Sequence, residues 1–421
     1  MNPGAAASSQ VTDRAWVWLF GAFAAAYFLS TLLRAVTATL APEFSREFGL
    51  GAADLGLLSG AYFLGFSVMQ LPLGAALDRW GARRVEVALV AVAAAGCLLF
   101  AQADAFATLA ASRALIGVGV AACLMAPLTC YRLRFSKELQ LRCNSWMLMV
   151  GSIGMVAATV PVQATLPLLG WRGIFTGVAA LLVLGALVLW LVVPDHDAGP
   201  GQPEAAGAGY LRIAAHPEFL RLAPLAFFVY GGMIAVQTLW AGPWLTRVSG
   251  WTPAEASRGL MVVNVAMLAA YAAWGALMPW LVRRGLHVRR LLAVGLPANL
   301  LLLGWNVAAG ASAVDWHWAA WCVTASQIAL SQPALAQAFP AQVAGRALSA
   351  YNLVVFSGVF VVQWGLGVVI DAMRQLGLTE AVSYQVAMAV LLACCIASYA
   401  WFMLTGRWAA GRDNRVEANR P

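Results

Sequence analysis

The chain has 421 residues, 62% of them hydrophobic and only 10% charged, and its mean hydropathy is +0.77. A soluble domain carries about 25% charged residues, so composition excludes a water-soluble globule and points to lipid as the solvent. The net charge of +8 does not imply nucleic acid, because there is one lysine, Lys137, and the arginines lie between apolar stretches and form no basic face.

A polar run to about Arg14 leads into a long apolar stretch with no small-residue cleavage site, as expected of a retained first span with the mature chain beginning near Met1. Candidate spans follow at roughly 16–38, 53–76, 85–104, 106–131, 145–166, 172–193, 223–245, 258–282, 290–311, 317–338, 350–372 and 383–405. Each has about the length a helix needs to cross the ~30 Å hydrocarbon core. Between the sixth and seventh, the run Asp195-His196-Asp197-Ala198-Gly199-Pro200-Gly201-Gln202-Pro203-Glu204 is rich in Gly, Pro and acids and reads as a flexible linker. The expected fold is all-α and integral to the membrane, with twelve transmembrane helices in two pseudosymmetric six-helix bundles. Its expected division is an N-terminal bundle at 1–194, a cytoplasmic linker at 195–222, a C-terminal bundle at 223–405 and a cytoplasmic tail at 406–421.

Orientation follows from the tendency of positive loops to stay in the cytoplasm. With the N-terminus inside, nineteen of the 26 basic residues fall on the cytoplasmic face, five (Arg46, Arg172, Arg247, Arg258, Arg374) on the other, and Arg34 and Arg113 within spans. Both termini are therefore expected in the cytoplasm of a bacterial-type inner membrane, in a multi-pass protein. The seven cysteines fall in or beside apolar segments without metal-ligand spacing, so neither a disulfide framework nor a metal site is expected. The halves also echo each other: Phe135, Arg142, Ser145 and Gly154 recur at a constant offset as Phe339, Arg346, Ser349 and Gly358. Repeats of this kind pack around a site near the bilayer midplane.

Between the second and third spans the chain reads Gly74-Ala-Ala-Leu-Asp78-Arg79-Trp80-Gly81-Ala82-Arg83-Arg84. It resembles the signature loop of the major facilitator superfamily, Gly-x-x-x-Asp-Arg/Lys-x-Gly-x-Arg/Lys-Arg/Lys, at every specified position. In that resemblance Gly74, Asp78, Arg79, Gly81, Arg83 and Arg84 form a cytoplasmic gate. The Asp78 carboxylate can pair with arginines and a helix terminus of the other half, Gly74 permits close helix approach, and Gly81 makes the tight turn. The blander reading is that the arginines only fix topology. The matching place in the second half, Gly275 to Arg290, keeps a glycine and the basic cluster but has Pro279 near where the acid belongs. Two further elements, Arg113-Ala-Leu-Ile-Gly117-Val-Gly119 and Gly170-Trp171-Arg172-Gly173-Ile174-Phe175, are similar to family elements of helices 4 and 6. The family's glycine-rich exporter signature with its Gly-Pro pair is not reproduced by the run from Gly151 to Pro161, which counts against a drug-type antiporter. The resemblance covers roughly residues 15 to 405 and implies the superfamily fold, transport by alternating access, a small-molecule substrate and no enzymatic activity or cofactor.

Intramembrane charges cost on the order of 2.5–3.5 kcal/mol on insertion scales and are functional candidates by default. Arg34 and Arg113 are two such, and no acid is expected deep in a span, since Glu43, Asp54, Asp78, Asp315, Asp371 and Glu380 fall near span ends or in loops. A positive cavity suits an anion, and Tyr27 to Arg34 resembles, loosely, the helix 1 arginine of organic-anion and nitrate/nitrite porters. Arg34 lies near the expected outer end of its span, so it can instead snorkel to the surface, and Arg113 can instead pack against backbone carbonyls. Other candidates for substrate contact are Tyr27, Tyr62, Gln237, Trp240, Asn264, Gln327 and Asn352, with Tyr271, Gln332 and Gln363 also polar on apolar helices. Interhelical bonding is the alternative role for each. The four histidines fall in loops or at span ends. Coupling is thus left to a proton carried with the substrate, to exchange of anions, or to no ion at all. Partners are a small molecule, expected to be an anion, and the lipid bilayer, with a monomer expected. The alternatives are an exporter of hydrophobic, neutral or cationic compounds, favoured by eighteen tryptophans, and a non-translocating receptor. A membrane enzyme would need a His-Glu cluster or an activated Ser or Cys, and no such pattern is legible.

Overall fold

A computed structural model describes residues 15–195, 206–284 and 286–418. Arg14, the linker run from His196 to Ala205, and Arg420 lie outside the described residues, as do the side chains of the tail from 406 onward, Arg407, Arg412 and Arg415 among them. Among the described residues every element is helical.

Twelve long helices can be followed among the described residues. They are α1 (Ala15–Phe48), α2 (52–80), α3 (82–101), α4 (Phe106–Gly119 with Met125–Arg134), α5 (Lys137–Ala157 with 160–169), α6 (171–192), α7 (Pro217–Val248), α8 (Pro253–Arg283), α9 (Val288–Ala309), α10 (315–337), α11 (Ala341–Gln375) and α12 (Glu380–Ala418). A short helix, Ala206–Ala214, precedes α7. Among the described residues eight helical stretches are long and apolar enough to cross a membrane, with α2 running into α3 and α5 into α6. Those junctions are Gly81 at φ 77° and Gly170 at φ 63°, the left-handed region that side chains other than glycine enter at a cost. In Gly81's case this is the tight turn of the signature loop.

Most helices run longer than their apolar cores. The first extends past its expected end near 38 to Phe48, because Phe44 is wholly buried in an edge-to-face cluster with Phe100 and Trp171. Arg34 consequently sits in the middle of α1 and not near its end.

The repeat seen in the sequence has a structural counterpart. A Cβ at Gly154 of α5 would lie 2.5 Å from the main-chain oxygen of Phe28 on α1, and one at Gly358 of α11 would lie 2.4 Å from that of Phe227 on α7. The same small residue thus lets the same pair of backbones meet in each half, which is how helices associate where lipid removes the hydrophobic drive between them.

The two halves touch unevenly. At the end of the bundle away from the chain termini, α2 and α11 meet backbone to backbone: a Cβ at Gly56 would fall 2.3 Å from Gln363 O, and one at Gly367 would fall 2.2 Å from Ala52 O. The Asp371 carboxylate accepts from the amides of Ala52 at 3.1 Å and Ala53 at 2.7 Å, so α11 caps the N-terminus of α2. Contact continues to Phe66 and Phe356, whose rings are 4.5 Å apart. About two and three turns further on, Gly74 and Asp78 are exposed, and nothing lies within 4 Å of a Cβ built at Gly74. The halves therefore splay apart toward the end that carries the termini.

Candidate functional site

The splayed halves enclose a cavity of about 360 Å³ lined from both sides, within the usual range for small-molecule sites. From α1 come Tyr27, Ser30, Thr31 and Arg34, with Phe66 and Gln70 from α2; α7 and α8 give Tyr230, Gln237, Asn264 and Tyr271; α10 and α11 give Gln332, Asn352 and Phe356. These faces meet there because α1, α2, α7, α8 and α11 cross at the middle of the bundle, where single polar residues interrupt apolar helices.

Arg34 is the charged side chain in that lining. It reaches over two aromatic rings, with Cζ 5.5 Å from the centroid of Phe66 and 5.7 Å from that of Phe356, a favourable placement for a guanidinium. Tyr27, Tyr62 and Tyr230 lie within electrostatic range. Its Nε is buried without a hydrogen-bond partner. Among the described residues no ion pair involves Arg34, and no acid lines the cavity. The positive charge is thus offset only by phenol and ring faces, leaving a donor site for an oxyanion.

Across the cavity the second half offers neutral groups held by one another. Gln237 Nε2 donates to Asn264 Oδ1 at 2.9 Å, and Gln332 Nε2 donates to Asn352 Oδ1 at 2.9 Å. Each of these amides lines the cavity and has donors and acceptors beyond the one bond that joins the pair.

Of the candidate residues, Tyr27, Arg34, Gln237, Asn264 and Asn352 line the cavity. The other four lie outside the lining. Tyr62 is buried and donates to Ser30 O at 3.1 Å. Arg113 is buried beneath it, with Cζ 5.1 Å from the Tyr62 ring and Nη1 donating to Leu33 O at 2.9 Å. Trp240 packs on Tyr384 and donates to Gln363 O at 3.2 Å. Gln327 is turned to its own helix, donating to Thr324 O at 2.8 Å. Ser30, Thr31, Gln70, Ser152 and Tyr230 join the lining without having been singled out. Ser30, Gln70 and Tyr230 carried the same signal as the residues that were, an isolated polar side chain in an apolar span.

At the signature loop, Arg83 and Arg84 both reach Asp195, at 2.5 and 2.8 Å, and Arg83 also stacks on Trp190 at 4.6 Å. Asp78 is exposed, and Arg79 lies over Trp80 at 5.4 Å. With the termini end open, the loop's described ion pairs run to Asp195, just after α6, and not to the second half.

One buried acid lies near a span end without having been singled out. Glu86, one turn into α3, is fully buried, and neither carboxylate oxygen has a hydrogen-bond partner. The sequence places it beside a span end, but α3 begins at 82 and the helix carries it inward.

A family model described as Major Facilitator Superfamily matches residues 23–363. The chain belongs to that superfamily. Eight of its described helical stretches are long and apolar enough to cross a membrane, and its fold is shared with solved transporters. A bacterial homolog of the human lysosomal transporter Spinster, inward-facing and unoccupied, superposes with a TM-score of 0.71 at 18% identity over 94% of this chain and 98% of that one. The D-xylose-proton symporter gives 0.73 at 13% identity over 92% and 97%, and the POT family transporter PepTSo gives 0.75 at 14% over 94% and 98%. Two sequence relatives are both called putative multidrug resistance protein MdtD. The one from Pectobacterium carotovorum subsp. carotovorum (strain PC1) is 23% identical over 248 residues, 55% of this chain and 51% of its own. The one from Yersinia pestis (strain Pestoides F) is 25% identical over 246 residues, again 55% and 51%. The chain thus matches about half the length of these superfamily relatives.

Proposed function

We propose that this member of the superfamily carries a small organic anion across a bacterial inner membrane by rocking its two halves about the central cavity, with both termini in the cytoplasm. The observation that carries the reading is Arg34: a mid-membrane cation with a buried, unpartnered Nε and no acid beside it in the cavity lining. A carboxylate there supplies the missing counter-charge, and the rings of Phe66 and Phe356 flank it with apolar surface. The amide pairs Gln237–Asn264 and Gln332–Asn352 would orient the neutral part of the ligand from the other half. Under this orientation the conformation is open to the cytoplasm, and Gly74, Asp78, Arg79, Gly81, Arg83 and Arg84 form the gate that closes it. Division at 1–194, 195–222, 223–405 and 406–421 belongs to the same reading, as does a monomeric carrier.

A second reading is export of hydrophobic or cationic compounds. It is supported by the name of the sequence relatives and by the apolar part of the lining, in which Met125, Met155 and Met267 offer adaptable surface. Uptake of labelled benzoate, succinate and tetraphenylphosphonium into proteoliposomes separates the two. Flux of a carboxylate that vanishes in Arg34→Ala supports the anion carrier, whereas flux of the phosphonium alone replaces it with the exporter.

A further inference from the structure

Beyond the substrate cavity, the buried Glu86 is a titratable group with no assigned role. It sits on α3 with zero exposure, and both oxygens lack partners. The titratable side chains facing it come from α4: Cys123, Cys130 and Tyr131 all lie in its electrostatic range. None is a cation. Tyr131 is itself buried with an unpartnered hydroxyl, walled by Phe20 and Phe23 of α1. From α2, Asp78 and Arg79 are exposed and neither is bonded to it. Beyond α6, Asp195 is taken up by Arg83 and Arg84, and Arg134, beside Cys130, donates to the main-chain oxygen of Asp195. An ionised carboxylate cannot be held in such a place without a partner, so here Glu86 carries a proton.

Two features connect that proton to movement. Arg83 precedes Glu86 by three residues and is its neighbour on the helix face; its Nε is buried and unpartnered, while Nη2 pairs with Asp195 and Nη1 donates to Val193 O at 3.5 Å. Turning Arg83 from Asp195 to Glu86 would give the carboxylate a counter-ion and let the proton go to water. On the other side, α4 breaks between its two helical pieces at 120–124, and Cys123 in that break is within electrostatic range of both Glu86 and Arg34.

We infer that Glu86 is the proton-binding site of this transporter, occupied while the termini end is open and emptied when Arg83 swings onto it as that end closes. Proton binding and the open termini end then favour each other by linkage, so acid favours the conformation seen here and alkali the closed one. The inference rests on superfamily membership and not on the anion reading, and its test uses no substrate.

The test measures the distance between spin labels on Ala75→Cys and Gly345→Cys, which lie at the termini-end mouth on α2 and α11 and are both exposed, in the full-length protein in nanodiscs from mildly acidic to alkaline pH. Wild type is expected to move from the long to the short distance as pH rises, and Glu86→Gln, which mimics the neutral acid, to keep the long distance throughout. Glu86→Asp should retain the transition with a moved midpoint, and it decides the matter should Glu86→Gln not fold. A wild-type distance that ignores pH, a Glu86→Gln transition like that of wild type, or an unmoved midpoint in Glu86→Asp would each overturn the assignment.

Discussion

Arg113 donates from Nη1 to the main-chain oxygen of Leu33 at 2.9 Å, the carbonyl immediately before Arg34. The two cations within the spans thus have different environments: one packs against backbone and the Tyr62 ring, and through that backbone holds the other toward the cavity. Replacing Arg113 by Met keeps much of its volume and removes the anchor. In the anion reading, affinity for the best-bound anion should fall by up to about tenfold, close to 1.4 kcal/mol, while Arg34→Ala should cost about 1.5–3 kcal/mol, the value of hydrogen bonds to a charged group. Equilibrium binding measures both, and an Arg113→Met loss equal to or larger than that of Arg34→Ala would reverse the two roles.

Asp371 of α11 caps α2 with the far end closed. Asp371→Ala removes a carboxylate from a helix N-terminus, worth about 1 kcal/mol, and should shift the population roughly fivefold toward the form open at the far end. Maleimide labelling of a cysteine placed at Leu55, which lines the shallow cleft there, reports the change. The native cysteines are buried apart from Cys394 and give little background. Unchanged labelling would mean that the cap does not hold the halves.

Gly56 leaves no room for a side chain, since a Cβ there would stand 2.3 Å from Gln363 O. Gly56→Leu should yield a folded protein trapped with the far end open, in which the same Leu55→Cys probe labels fully. A variant that labels like wild type would show that the backbones can separate without opening that end.

Asp78 is exposed and carries no described ion pair in the conformation seen here, so Asp78→Asn should leave its thermal stability unchanged. If Asp78 bonds across the gate only in the closed form, the same change should raise labelling of a cysteine at Ala75. Equal labelling of Asp78→Asn and its parent removes Asp78 from the gate.

The fold was legible because lipid imposes a minimum length of apolar helix, and the signature loop from Gly74 to Arg84 is specific in its spacing. Helix ends were less so: α1 runs to Phe48 because Phe44 finds an aromatic cluster built from α3 and α6, partners that hydropathy along one segment does not contain. The cavity was legible in part. An isolated polar residue in an apolar span announces that it faces protein or water, and Arg34, Gln237, Asn264 and Asn352 were found on that signal. It does not say which interior they face, and Trp240 and Gln327, with equal signal, bond to neighbouring helices or to their own. Glu86 was passed over because it follows the basic loop by two residues, and only the turn at Gly81 shows that α3 has already entered the bundle there.

The most direct test of the anion reading is thermal stability of the purified protein against acetate, succinate, benzoate, nitrate, glucose 6-phosphate and tetraphenylphosphonium, with Arg34→Ala beside it. A ligand of the folded state raises apparent stability by mass action, about 2.7 kcal/mol at a hundred times its Kd. The account predicts stabilisation by one class of anion that disappears in Arg34→Ala; stabilisation by tetraphenylphosphonium alone, or by an anion equally in both proteins, would contradict it.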